Sequence, residues 1–356
     1  MTQTQSELKI FKVVWLVCII VSTIIIILSF VLQQMKFGVS YPLGWDQPIY
    51  VFQANQIAKI GIVPWILSVK SFDLYWALPA YLGMLVNGAG ASLITIEIVQ
   101  TCLLAFLFSV LTYKITSSYI VASATVVLYP FLNNSVQLFV LPRESFALVL
   151  MLGMMILIEH LLKPLNLRSL KTWFFIIATL TLFLWNITNA VFFTLILFSF
   201  CIFVRKRVAI INSLILVAIG TILSISLFYI VFGQYFYEVT YWPSLMPTPI
   251  FYTSEFVRWT GGSLPLVALS ISGFICLLLL VKRYNKTQAI IAFIWGGLAL
   301  ALFTAGFLIS SAVNMWYVYS FRSLLLFPVQ LYVPICLGLV VFGAEKIVRR
   351  FAFAKQ

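Results

Sequence analysis

Long apolar runs separated by short polar connections dominate the pattern of this chain. Taking about 20 consecutive apolar residues as one membrane crossing, we predict about ten transmembrane helices, at 11–32, 90–112, 118–136, 144–162, 172–187, 189–204, 209–231, 263–281, 288–310 and 323–343. The fifth and sixth are short enough to form a tight helical hairpin that turns at Asn186-Ile187-Thr188-Asn189. The pattern therefore predicts an all-α polytopic membrane protein, with one transmembrane domain over 1–356 and no soluble domain.

Two connections are much longer than the others, at 33–88 and 233–262. In the first, the apolar residues of 48–60 recur at helical spacing and the polar residues fall on the opposite side, which is typical of a helix lying flat in the headgroup region. A second, more apolar stretch covers 72–86 and ends at Asn87-Gly88, a stop signal for a helix. We therefore expect two interfacial helices in this connection, and the two long connections can line a water-filled cavity.

The lysines and arginines predict the orientation of the chain. With the N-terminus inside, sixteen of the 22 basic residues fall on the inner side and six on the outer side. Such an excess in the inner connections is the usual asymmetry of membrane proteins. An even number of spans then leaves both termini in the cytoplasm, and the two long connections face outward. Because the inner connections are short, we expect any chemistry on the extracytoplasmic face.

Composition narrows the function classes. The chain is 63% hydrophobic and 9% charged, with a mean hydropathy of +1.10, and a soluble domain of this size would expose very large apolar patches. The net charge of +13 comes from short basic clusters between apolar runs, which argues against nucleic-acid binding. The five cysteines lack a Cys-x-x-Cys spacing. The single histidine, His160, lies at the inner end of a span, which excludes a histidine metal cluster or a Ser-His-Asp triad at the outer face.

One carboxylate, Asp46 in Gly44-Trp45-Asp46-Gln47-Pro48, follows the first span and begins the first interfacial helix. Only nine residues of the chain are acidic, so an acid at the mouth of a helix bundle is a candidate for chemistry. The other interpretation is a helix N-cap, a position that Asp favours and that Pro48 suits in the turn that follows. Both roles are open, and one residue can fill both.

Four further charged residues are candidates on the outer face, each with a structural alternative. Arg143 and Glu144 lie at the outer end of the fourth span, where a snorkelling arginine and an acid in the first helical turn are ordinary features. Arg322 is the matching cation at the outer end of the last span, and Arg258 lies in the second long connection among aromatic residues suited to the membrane interface. The functional interpretation is that Arg143, with Arg322 as its matching cation, faces a central cavity and binds an anionic group. For the aromatic segment around Arg258, it is a lid that stacks on a sugar or presses against a lipid chain.

The order of these features resembles the GT-C superfamily of polytopic glycosyltransferases, which includes the protein O-mannosyltransferases and the aminoarabinose transferases that act on lipid A. The likeness starts from a first span, an outer connection with an acid at its start, and interfacial helices. It continues with three motifs, which are Leu74-Tyr75-Trp76-Ala77-Leu78-Pro79-Ala80-Tyr81-Leu82 before Asn87-Gly88, Pro142-Arg143-Glu144, and Phe321-Arg322-Ser323-Leu324-Leu325-Leu326-Phe327-Pro328. The resemblance covers the first 160 residues and the last 40.

The resemblance implies a multi-pass protein of a bacterial plasma membrane that transfers a sugar from a polyprenyl-phosphate donor to a glycan, lipid or protein acceptor on the outer face. Asp46 would be the base for the acceptor hydroxyl, and the phosphate-binding set would be Arg143, Glu144, Arg258 and Arg322. The family often has a second acid where Gln47 follows Asp46 here. We therefore expect no metal site, although Asp46 with Glu144 could hold one divalent cation whose shell is completed by water or substrate phosphate.

Glu97 lies inside the second predicted span and supports a different function. An ionisable residue at that depth indicates either a functional site or an interhelical contact with a polar neighbour such as Gln100 or Thr101. The functional interpretation is a transporter or flippase for a lipid-linked or amphipathic substrate. Against it, we detect no internal repeat and few charges or Gly and Pro breaks at the membrane midplane, where carriers place their sites.

Overall fold

The computed structural model describes residues 5–38, 47–70, 72, 74–85, 88–132, 142–185, 187–233, 264–284, 287–308 and 331–338. Within these ranges the chain is almost entirely helical and has no β-strand. The α-helices are α1 Gln5–Phe37, α2 Gln47–Ile60, α3 Ile62–Val69, α4 Ala77–Leu85, α5 Ala89–Thr116, α6 Tyr119–Leu132, α7 Pro142–Ile156, α8 Leu170–Trp185, α9 Ile187–Val204, α10 Arg207–Phe232, α11 Leu264–Tyr284, α12 Thr287–Leu308 and α13 331–338. Two 3-10 helices, Leu74–Trp76 and Ile158–Leu162, precede α4 and follow α7.

Three of the described helices are long and apolar enough to cross a membrane, at Lys9–Phe37, Ala89–Thr116 and Arg207–Phe232. Shorter apolar helices accompany them. The long helices expose large apolar side chains, including Leu32 (62% exposed) on α1 and Ile230 (77%) on α10. A protein in water rarely exposes so large an apolar surface, so these side chains indicate a lipid environment. The prediction of an all-α protein in a lipid bilayer is confirmed, and the number of ten spans and the cytoplasmic termini stay predictions.

The connection between α1 and α5 contains one helix more than the sequence pattern predicts. The first predicted interfacial helix is present as α2, and the second is divided into the 3-10 helix Leu74–Trp76 and α4. Between them lies α3, which was not predicted. Gly61 separates α2 from α3 because its φ of +83° breaks the helical path, and Pro64 fits the first turn of the new helix. Trp65 of α3 then donates a hydrogen bond of 2.7 Å from its indole to Oε1 of Gln53 on α2.

The fourth predicted span ends earlier than expected, because α7 stops at Ile156 and the chain continues as a 3-10 helix to Leu162. A side chain from α10 binds the end of this 3-10 helix. Nδ2 of Asn212 donates hydrogen bonds to the carbonyl oxygens of Leu161 and Lys163, at 2.9 and 2.7 Å. Carbonyls near a helix end need such outside donors, and 3-10 geometry commonly closes the last turn.

The chain divides into two compact units. The first comprises Met1–Ile24, Ala105–Asn134 and Met246–Gln356, and the second comprises Ile25–Leu104 and Ser135–Leu245. Helices α1 and α5 contribute to both units. Each unit has its own packing, and the second contains the long connection between α1 and α5 together with α7 to α10.

Tyr332 organises the α11 to α13 part of the first unit. Its hydroxyl donates to the carbonyl oxygen of Ala292 on α12 at 2.9 Å, and its ring lies 5.5 Å from that of Phe274 on α11. A Cβ on Gly273 or Gly296 would overlap Tyr332, so these two glycines make its close approach possible. The thiols of Cys276 and Cys336 also meet, one turn further along each helix. Contacts that advance together along α11 and α13 mean that these two helices run in the same direction.

In the second unit, α8 packs closely against α10. A Cβ at Gly220 of α10 would lie 2.7 Å from the ring of Phe183 and 3.0 Å from the methyl group of Thr179, both on α8. Only a residue without a side chain permits this separation. The predicted hairpin of α8 and α9 is present, since the two helices pack on each other and only Asn186, outside the described residues, lies between them.

Candidate functional site

Three of the predicted site residues, Asp46, Arg258 and Arg322, lie outside the described residues. The other two, Arg143 and Glu144, are the second and third residues of α7, directly after Pro142. Proline suits the first position of a helix because the amide hydrogen that it lacks would have no partner there. The predicted helix start is therefore confirmed for the backbone. The side chains of Arg143 and Glu144 are outside the described part, so the roles of all five residues stay predictions.

Five rings, which we call the aromatic cluster, connect the segments next to Asp46 and next to Arg143. The ring of Tyr50 lies 4.1 Å from that of Trp76, which contacts Tyr75 at 5.7 Å. Tyr75 lies 6.1 Å from Phe146, and Phe146 stacks on Trp185 at 5.4 Å. Tyr50, Tyr75 and Trp76 are all buried. Such offset and edge-on ring pairs are favourable beyond the burial of their area.

The cluster joins the beginnings of two helices. Tyr50 is in the first turn of α2, whose first residue directly follows Asp46 in the sequence. Phe146 is in the first turns of α7, two residues after Glu144 and three after Arg143. In the sequence, Tyr50 follows Asp46 by four residues. The rings thus hold the start of α2 near the start of α7.

A second group of rings connects the same segment to the end of α10. Phe72, just before the 3-10 helix Leu74–Trp76, lies 5.1 Å from Phe228 and 4.9 Å from Phe232. Phe232 is the last residue of α10, and Gly233 ends the helix in the left-handed conformation with φ of +68°. The first long connection therefore contacts the point at which the second long connection begins.

A row of polar side chains lies on the adjacent part of α5. Glu97, Gln100 and Thr101 are buried at 2%, 6% and 6% exposure, and their spacing of three and four residues places them on one helical face. One turn earlier on the same helix, the hydroxyl of Ser92 donates to the carbonyl oxygen of Pro79 on α4 at 2.6 Å. We call Glu97, Gln100 and Thr101 the polar row. A buried ionisable residue inside an apolar helix is a candidate functional residue.

At the other end of α7 the polar contacts are structural. Nε2 of His160 lies 2.9 Å from Oγ1 of Thr172, which is fully buried. Burial lowers the pKa of His160 below its ordinary value, and the positive charges of Lys171 and Lys163 lower it further. His160 is thus held neutral in the connection between α7 and α8. Its position agrees with the exclusion of a histidine site at the opposite end of the helices.

The chemistry available at the site follows from these groups. Among the described residues, no three His, Cys, Asp or Glu side chains lie close enough to hold a metal ion. The buried polar row offers hydrogen bonds, and the aromatic cluster connects the first turn of α2 to the first turns of α7. Sequence reasoning did not single out Phe146 and Trp185. The available signal was their position within one turn of a predicted helix end.

No protein-family model matches the chain, and no curated protein is similar enough to it to be counted as a relative. The resemblance to the GT-C superfamily therefore stays a prediction.

Proposed function

We propose that this protein is a membrane glycosyltransferase that moves a sugar from a polyprenyl-phosphate donor to an acceptor on the extracytoplasmic face. The observation that carries the proposal is the aromatic cluster. Its rings hold the start of α2, directly after Asp46, near the start of α7, which contains Arg143 and Glu144. A transferase of this kind needs a base and a cation within the length of one substrate, and the cluster supports such an arrangement.

In the proposed reaction, the acceptor hydroxyl oxygen forms a bond to the anomeric carbon of the sugar while the bond from that carbon to the phosphate oxygen breaks. Asp46 accepts the hydroxyl proton, and polyprenyl phosphate leaves with one additional negative charge. Arg143 binds this phosphate, because a guanidinium group can donate two parallel hydrogen bonds to it. Glu144 orients Arg143, and Arg258 and Arg322 complete the phosphate-binding set.

The test is transfer by the purified full chain in lipid vesicles, supplied with polyprenyl-phosphate glucose, mannose or N-acetylglucosamine. Free polyprenyl phosphate is measured as the product. We expect Asp46→Asn to reduce release by at least a hundredfold, the usual contribution of a general base. Asp73→Asn, the other acid of the same connection, is the matched control and should keep wild-type activity. Wild-type rates in Asp46→Asn would refute the role of this base.

The polar row favours a second candidate function, transport of a lipid-linked or amphipathic substrate. Glu97 is 2% exposed in the middle part of a 28-residue apolar helix, and carriers use such residues to couple proton and substrate movement. If the protein is a carrier, Glu97→Gln should abolish pH-dependent movement of the substrate across vesicles. Consumption of lipid-linked sugar without any movement across the membrane would reject the carrier and favour the transferase.

A further inference from the structure

The amide of Gln100 is the least satisfied polar group of the polar row. The side chain is 6% exposed, and neither its oxygen nor its nitrogen forms a hydrogen bond with a described residue. An amide has two donor hydrogens and one acceptor oxygen, and its burial without partners is unfavourable. A leucine or methionine at this position would avoid that cost, so the stability of the helix packing does not explain the glutamine.

The position of Gln100 connects it to the candidate site. Leu93 and Ile96 of α5 pack in the same core as Tyr50, Tyr75 and Trp76 of the aromatic cluster. Glu97 and Gln100 continue α5 directly from these residues. Gln100 is eleven residues from the first residue of α5, or about 17 Å along the helix axis. The polar row therefore begins where the core around the aromatic cluster ends.

The chemical groups of the row select one class of ligand. Glu97 would repel an anion, and the only basic residue of α5, Lys114, is fourteen residues from Gln100, about 21 Å along the axis. One carboxyl group is too few for a hard divalent cation, which takes six or more oxygen ligands. A hydrocarbon chain would leave the amide as unsatisfied as before. A neutral group with several hydroxyls fits, because each hydroxyl both donates to and accepts from an amide.

We propose that Gln100, together with Glu97 and Thr101, binds the hydroxyl groups of the sugar on the lipid-linked donor. The inference rests on the proposed function, because it identifies the buried part of that substrate. Gln100 is then a sugar-binding residue that distinguishes a sugar-linked lipid from the bare polyprenyl phosphate. Its amide is unsatisfied until the ligand binds, so the residue reduces the stability of the free protein in exchange for affinity.

Binding to the full chain in lipid nanodiscs tests this inference without any measurement of transfer. The probes are polyprenyl-phosphate glucose, mannose and N-acetylglucosamine, and polyprenyl phosphate without a sugar. We expect Gln100→Leu to weaken binding of the preferred sugar-linked lipid about tenfold, the effect of losing one or two neutral hydrogen bonds. Binding of sugar-free polyprenyl phosphate should not change. Thr95→Val, a polar-to-apolar change at an exposed position of the same helix, should leave both affinities unchanged.

Stability provides the second measurement. In the absence of ligand, Gln100→Leu should resist denaturation at least as well as the wild type, and Gln100→Met, which has nearly the length of glutamine, should behave in the same way if leucine does not fit. A less stable protein with unchanged affinities would mean that the amide has a structural role, and the inference would be wrong. Equal weakening for both lipids, or a wild type that does not prefer any sugar-linked lipid, would also overturn it. Loss of the Asp46 role alone would leave these binding results unaffected.

Discussion

Replacing Phe146 with leucine should weaken the connection between the starts of α2 and α7 and reduce the stability of the protein. The substitution keeps an apolar side chain at the site. The ring of Phe146 contacts two others, Tyr75 at 6.1 Å and Trp185 at 5.4 Å. Each aromatic pair contributes about 0.5–1.5 kcal/mol beyond the burial of its area, so losing both should lower the free energy of unfolding by about 1–3 kcal/mol. Phe146 is partly buried and leucine keeps an apolar side chain there, so the loss should lie near 2 kcal/mol, below the cost of about 3–5 kcal/mol for truncating a fully buried phenylalanine to alanine.

Reversible unfolding in mixed detergent micelles, followed by tryptophan fluorescence, measures this difference. Phe52→Leu is the matched control, because Phe52 lies on α2 and is 57% exposed, and it should change the unfolding free energy by less than about 0.5 kcal/mol. A double-mutant cycle with Tyr75→Leu isolates the ring pair that joins α7 to the segment contacting α2, and it should give a coupling energy of about 0.5–1.5 kcal/mol. A coupling energy of zero, or equal effects of the two phenylalanine substitutions, would refute the cluster as a connection between these helices.

Three further predictions concern the packing of the second unit. Asn212→Leu leaves two carbonyl oxygens at the end of the 3-10 helix after α7 without their donor and should cost about 2–4 kcal/mol in unfolding free energy, measured in the same assay. Gly220→Val should force the ring of Phe183 away and lower the midpoint of thermal unfolding by several degrees, whereas valine at the exposed position Ile222 of the same helix should have little effect. Folding lowers the pKa of His160, so the folded state disfavours the protonated imidazole. The free energy of unfolding is therefore at its full value above the unfolded pKa of about 6.5, and it decreases as the pH falls below that value. The free energy of unfolding should therefore be lower at pH 5.5 than at pH 7.5, and the difference should be smaller in His160→Gln than in the wild type.

Continuous apolar runs were sufficient to predict most of the long helices in the described part of the chain. The predicted ranges 90–112 and 209–231 correspond to α5 and α10, because a continuous apolar run in lipid can only satisfy its backbone as a helix. The errors occur where side chains from elsewhere decide the outcome. The 3-10 helix that follows α7 is bound at its end by Asn212, which lies 51 residues after Leu161 in the sequence. The start of α3 depends on a backbone angle of Gly61 that no pattern of apolar residues reveals.

The candidate site was less predictable than the fold. Sequence position was enough to place Arg143 at a helix start, and Glu97 and Gln100 on one face of a span. It did not indicate which distant segments meet there. The approach of the α2 start to the α7 start depends on rings about a hundred residues apart, Tyr50 and Phe146, and on the intervening Tyr75 and Trp76. Ring contacts of this kind are non-local, so no local spacing predicts them.

The aromatic cluster also bears on the choice between a transferase and a carrier. A carrier that opened between α2 and α7 would have to break at least one link of the aromatic cluster in each cycle, such as the contacts of Tyr75 with Phe146 at 6.1 Å and with Trp185 at 6.5 Å. Two pairs at about 0.5–1.5 kcal/mol each give about 1–3 kcal/mol, which a substrate could offset only by binding the open state correspondingly more tightly. A transferase gains from the same rigidity, because base and phosphate must keep a fixed separation during the reaction. This rigidity is therefore an argument for the proposed transferase, in which the polar row of α5 would receive the sugar.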